Sequence, residues 1–130
     1  ESGYISSGVM EFKNSRYEGG GMRYLKFLKW LKKFYKEAEP EEVYFEEVRQ
    51  HKATDAAHVY GGFMAALTAW CEDKPLPYEG VPVGSIKRHA TGKGNANKEM
   101  IIKAMEKKGH APEDDNEADA LALLYCVIDN

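Results

Sequence analysis

The sequence offers little for covalent stapling and nothing for burial in lipid. It contains two cysteines, Cys71 and Cys126, too few for the disulfide framework of a small secreted domain. Each lies in a stretch that reads as an apolar helix, so both are expected as thiols in a reducing compartment. No window approaches the roughly 18 apolar residues of a membrane-spanning helix. The opening ESGYISSGVMEF lacks the basic and apolar regions of a secretory signal. A cytoplasmic chain with no membrane partner is the expectation. Internal repeats and low-complexity tracts are absent. The four histidines (His51, His58, His89, His110) show no zinc spacing with the cysteines, and His51 and His58 read as surface or capping residues. No serine stands in G-x-S-x-G, and no G-x-x-x-x-G-K-[ST] occurs, so triad hydrolysis and P-loop chemistry lack support. An initiator methionine is lacking too, which raises the expectation of a segment upstream.

What is present is one ordinary core's worth of chain. The 130 residues fit a single domain, 1–130, and 43% apolar with 30% charged residues argue against disorder. The net charge of −3 gives no global pull toward polyanions, but it conceals segregation. Arg23 to Lys36 holds six bases and no acid, and Glu37 to Glu47 holds six acids and no base. Ser85 to His110 holds seven bases against Glu99 and Glu106, and Ala111 to Asn130 holds six acids and no base. Such blocks are either solvated faces or a basic cradle beside an acidic centre.

Hydrophobic periodicity predicts a strand over Tyr4–Lys13, with Ile5, Val9, Met10 and Phe12 toward a core. A glycine-rich loop then leads to a helix over Met22–Lys36, with Leu25, Leu28, Leu31 and Tyr35 at helical spacing. Val43–Val48 reads as a strand covered on both faces. Asp55–Asp73 reads as a helix whose Gly61-Gly62 pair costs about 1 kcal/mol per glycine, which close packing would offset. Tyr78–Val83 is the third predicted strand and Gly84–Ala96 a basic glycine-rich loop, into which Ile86 and Lys87 could extend secondary structure. Helices follow over Lys98–Lys108 and Glu117–Ile128. The order β-α-β-α-β-α-α predicts a layered α/β fold with some parallel pairing.

Two acids stand out against apolar surroundings. Glu46 ends the run Val43-Tyr44-Phe45, where a carboxylate loses several kcal/mol of hydration unless neutralised; a strand running out into solvent gives the same pattern. Asp119 sits in Ala118-Asp119-Ala120-Leu121-Ala122-Leu123-Leu124. Asp114 and Glu117 have the spacing of a capping box, whereas Asp119 lies further in. Asn116 (i,i+3) and Asp115 (i,i+4) share a helix face with it. If Glu46 and Asp119 converge, their oxygens suit a hard cation such as Mg²⁺. In Lys87-Arg88-His89-Ala90-Thr91-Gly92-Lys93-Gly94-Asn95-Ala96-Asn97-Lys98, glycines allow close backbone approach. The cations and the following helix N-terminus suit phosphate. A solvated basic loop is the plain alternative.

Three stretches in this order carry a resemblance. Tyr44-Phe45-Glu46-Glu47-Val48, then Gly84-Ser85-Ile86-Lys87 with Gly92 to Lys98, then Asn116-Glu117-Ala118-Asp119-Ala120-Leu121-Ala122 resemble RuvC-type Holliday junction resolvases, closest to their phage and prophage branch. The likeness runs from about Tyr4 to Ile128. It implies an RNase H-like mixed sheet flanked by helices, in strand order 3-2-1-4-5. It also implies Mg²⁺-dependent (or Mn²⁺-dependent) hydrolysis of four-way DNA junctions by a homodimer in a bacterial or phage-infected cytoplasm. Two ions about 4 Å apart would activate water and stabilise the leaving oxygen. Matching positions make Glu46 and Asp119 catalytic metal ligands. Asn116 stands where well-known members carry Asp, offering a carbonyl without charge. Lys98 would steady the scissile phosphate, and Lys87, Arg88, Lys93 and Asn95 would join it in facing DNA. The family's first acid, on its first strand, has no counterpart here. The first two strands are therefore expected to be missing, and the chain is expected to be a truncated product or to recruit strands from a partner. A branched-DNA-binding or interaction module of the same fold that does not cleave is the competing expectation.

Overall fold

The computed structural model describes residues 4–130. Its elements run α1 (Met22–Ala38), β1 (Val43–Glu47), α2 (Thr54–Asp73), β2 (Tyr78–Pro82), α3 (Val83–Thr91), α4 (Lys98–Lys107) and α5 (Asp115–Ile128). Contacts divide the chain into two compact units. One comprises the segment up to Met10, Tyr44–Val48 and Gly80–Asn130; the other comprises Glu11–Val43 and Arg49–Glu79.

Among the described residues, β1 and β2 form a two-stranded sheet, joined through α2. The Val43 amide donates to the Pro77 carbonyl (3.0 Å). A Cβ on Gly80 would meet the Phe45 ring at 2.9 Å and the Glu47 Cβ at 3.2 Å. Partners advance together along both strands, as in a parallel pair with a helical crossover. All five β1 residues are half-buried, so Glu46 is neither in a dry core nor fully wet.

The unit holding β1 is filled by α3, α4 and α5. Ile86, Ala96, Ile101, Met105, Ala118, Leu121 and Ala122 form its buried core, with Ile5 and Val81 packed against it. Fully burying a side chain such as Ile101 contributes about 1.5–3 kcal/mol. The helices begin on side-chain caps where the sequence supplies them. Asn97 Oδ1 accepts from the Met100 amide at the start of α4 (2.9 Å). Asp114 Oδ1 accepts from the Glu117 amide at the start of α5 (2.9 Å). Glu117 reaches back to the Glu113 amide (2.7 Å) and accepts from Ser7 Oγ (2.6 Å). The capping box expected from Asp114 and Glu117 is therefore present, with the returning bond one residue earlier than usual. These bonds hold the Glu117 carboxyl below its ordinary pKa, the Ser7 hydroxyl being the main cause.

The other unit packs α1 on α2. Tyr24, Phe27 and Phe63 form edge-on ring contacts, and Phe12 packs on Phe27 at 5.3 Å. Tyr35 meets Trp70 edge-on at 5.7 Å. The close packing expected at the glycine pair occurs at Gly62 alone. A Cβ there would overlap the Tyr24 ring, whereas Gly61 has open space.

Three expectations are corrected. Tyr4–Lys13 is not a strand. The Phe12 and Lys13 carbonyls accept from Arg23 Nε (3.2 Å) and Lys26 Nζ (3.1 Å) rather than from a sheet neighbour, and Met10 is exposed. Gly84–Ala96 is mostly helix, because Ile86 and Ala90 at i,i+4 pack against α4 and α5 and tertiary burial overrides the glycine. α3 stops at Gly92, whose φ of 87° suits only glycine. Leu25 is also exposed; the covered stripe of α1 is Tyr24, Leu28, Leu31 and Tyr35. Both cysteines are free thiols, as expected. Among the described residues, no helix is long and apolar enough to cross a membrane.

Candidate active site

β1, α3, α4 and α5 each supply one part of a charged cluster. Glu46 comes from the fourth position of β1 and Asp119 from the fifth residue of α5. α5 begins at Asp115, earlier than the periodicity implied, which sets Asp119 beyond its first turn. Burial raises the Glu46 pKa, and the nearby Lys87 charge opposes the rise. Burial is also the main cause that pushes Asp119 from 3.8 to about 6, followed by the negative charges of Glu46 and Asp115. Lys87 and Lys98 pull the other way without restoring the ordinary value. The two acids singled out from sequence are therefore close enough to interact; Lys87 acts on both and Lys98 on Asp119.

Asp115 is the acid that sequence reasoning left without a role. It shares the Asp119 face at i,i+4, and Lys98 Nζ lies 3.3 Å from its Oδ2. Asn116 is exposed on the first turn of α5, and Asp115 is the first-turn residue whose charge reaches Asp119. The signal was legible as the Asp115–Asp119 spacing, but spacing alone does not choose between i+3 and i+4.

The basic residues divide by position. Lys87, on α3, is half-buried and acts on both carboxylates. Lys98 is the first residue of α4, with its side chain 78% exposed. Arg88 folds over the loop: a Cβ on Gly94 would lie 2.9 Å from its Nη2. Lys93 and Asn95 are exposed on that loop. Thr91 Oγ1 shapes the turn, accepting from the Lys93 amide (3.1 Å) and donating to the Lys87 carbonyl (2.9 Å).

Among the described residues, no three His, Cys, Asp or Glu side chains are grouped so as to hold a metal ion. The donors present are two half-buried carboxylates with a third acid nearby and an excess of negative charge at Asp119. That set does not form a closed cage. It fits Mg²⁺, which keeps several waters and binds through one or two carboxylates plus substrate phosphate.

No protein-family model and no curated protein matches the chain. Solved structures do. T. thermophilus RuvC in complex with Holliday junction substrate superposes with a TM-score of 0.77 at 21% identity, covering 94% of this chain and 81% of that one. A second Thermus thermophilus RuvC structure gives 0.73 at 22% identity, covering 90% and 75%. The chain thus has the RuvC-like fold, a mixed α/β arrangement of the RNase H type.

Proposed function

We propose that this chain is a metal-dependent endodeoxyribonuclease acting on branched DNA, of the Holliday junction resolvase type. The observation that carries the reading is the proximity of Glu46 to Asp119, both resisting ionisation, with Lys87 acting on both and Lys98 on Asp119. The RuvC-like fold supports it. A surface acid in a purely structural role avoids such a position, because burying charge beside charge costs stability. Perturbed acids of this kind concentrate where function requires them.

Glu46 and Asp119 would hold Mg²⁺ (or Mn²⁺), with Asp115 rather than Asn116 as the supporting acid. When bound, the cation supplies Lewis-acid polarisation of the phosphodiester and a water of lowered pKa. The chain's own residues do the rest. Asp119 and Glu46 stay ionised when a phosphate group and cation share the site. Lys98, tethered to Asp115 and otherwise exposed, turns toward a nonbridging phosphate oxygen. Lys87 counters the charge that builds on the phosphate. Arg88, Lys93 and Asn95 contact the backbone of a duplex arm, contacts that fix position and shape rather than read sequence. A homodimer presents two such sites to a symmetric junction.

The open carboxylate set favours one alternative: a module of the same fold that binds branched DNA without cutting it. A labelled four-way junction with Mg²⁺ separates the two. Cleavage abolished by Glu46→Gln and by Asp119→Asn supports the nuclease. Salt-sensitive binding without cleavage rejects it in favour of the module.

A further inference from the structure

α1 carries a feature that the carboxylate site does not use. Phe27, Trp30 and Phe34 recur at i, i+3 and i+7, and their rings stack along the helix. Phe27 and Trp30 are inclined by 14° with centroids 6.4 Å apart, and Trp30 and Phe34 by 20° at 5.4 Å. The inner end is anchored, since Phe12 meets both Phe27 and Trp30 edge-on and Phe63 meets Phe27 edge-on. The outer end is open: Phe34 is 41% exposed. Lys29 and Lys33, at i,i+4 on the outward side of the same helix, are exposed, in a stretch from Arg23 to Lys36 without a single acid.

We infer that this ridge is a stacking platform for unpaired bases of single-stranded DNA. A series of near-parallel rings ending in a partly exposed ring offers the next layer of a stack to a flat π-system. The lysines supply the charge that tracks a phosphate backbone. A flat, weakly sequence-selective ligand carrying regular negative charge meets both demands. A second copy of the chain could supply a ring but fails the charge demand: contact of this face with itself about a two-fold axis sets lysines against lysines. A lipid surface fits poorly, because Leu28, Leu31 and Tyr35 are turned inward. That leaves a ridge one ring wide instead of a broad apolar face. The inference takes from the preceding reading only that the anion is DNA; it requires neither Glu46 nor Asp119.

Fluorescein-labelled dT20, titrated by anisotropy over several salt concentrations, tests the platform with the full chain. Phe34→Leu keeps the apolar bulk and removes the ring, and should weaken dT20 binding about 5- to 100-fold. Phe34→Tyr should bind within about twofold of the wild type. The pair Lys29→Gln and Lys33→Gln should flatten the salt dependence by about 1.4 in log–log slope. Trp30 fluorescence should be quenched by dT20 in the wild type. Circular dichroism melts unchanged in Phe34→Leu would show that the fold is intact. Binding of dT20 that is indifferent to Phe34→Leu overturns the platform. So does a ridge that binds vesicles of anionic phospholipid and not dT20, or a Phe34→Leu variant whose only change is dissociation of a dimer in sedimentation. Junction cleavage is assayed on the same proteins. A wild type that cuts junctions while dT20 binding ignores Phe34 rejects the platform alone. A wild type that binds dT20 through Phe34 but cuts nothing rejects the nuclease reading alone.

Discussion

Replacing Asp119 with asparagine removes one ionisable oxygen from the cluster and leaves its shape nearly unchanged. In the folded chain the carboxyl titrates near 6 rather than 3.8 because burial, Glu46 and Asp115 disfavour its charge. The folded pKa is raised, so between about pH 4 and 6 the folded state keeps a proton that the unfolded state has lost. Stability therefore falls as pH rises through that window, and the full cost is present above it. A shift of about two units corresponds to about 3 kcal/mol at most. Asp119 is only half-buried, and solvent screening reduces this to roughly 1–2 kcal/mol. Asp119→Asn should therefore be more stable than the wild type by that amount at pH 7.5, and by only a fraction of it at pH 4.0. Urea unfolding at the two pH values measures the difference. Adding Mg²⁺ at about ten times its dissociation constant should stabilise the wild type by roughly 1.4 kcal/mol and the variant by much less. A variant less stable than the wild type at pH 7.5, or a difference independent of pH, would refute the electrostatic account of the site.

Two further outcomes follow from packing and capping. Gly61→Ala should raise stability by about 0.5–1 kcal/mol, because its Cβ enters open space in a helix. Gly62→Ala, whose Cβ overlaps the Tyr24 ring, should lower stability by about 1–3 kcal/mol, and thermal melts would rank the pair. Glu117→Gln should destabilise the chain more at pH 7 than at low pH. Its lowered pKa gives stability above the ordinary carboxylate range that is lost as pH falls through the folded value. An equal penalty at both pH values would contradict this.

Helices were the most legible part of the sequence. α1, α2, α4 and α5 follow apolar spacing, and their ends follow Pro40, Asn97 and Asp114, whose effects are local. α3 was misread because its cause is distant: Ile86 is helical through what α4 and α5 present to it. Tyr4–Lys13 failed for the opposite reason. Its apolar residues suggested a strand, but a strand needs a neighbour, and the Arg23 and Lys26 side chains took the Phe12 and Lys13 carbonyls instead. In the site, Glu46 and Asp119 were legible as charges in apolar company. Asp115 was not, because a helix face at i+3 and one at i+4 differ only by a rotation that packing fixes.

By itself the sequence determined which residues carry charge in apolar surroundings, where helices start and stop, and which chemistries are absent. These depend on neighbours within a turn or two along the chain, so they are written locally. Tertiary structure alone decided that Glu46 comes within electrostatic reach of Asp119. It set which lysines face them and how far Asp119 resists ionisation, and it left the outer ring of the α1 stack exposed. Desolvation and Coulomb interaction depend on distances through space, and residues 73 positions apart along the chain acquire a distance only when it folds.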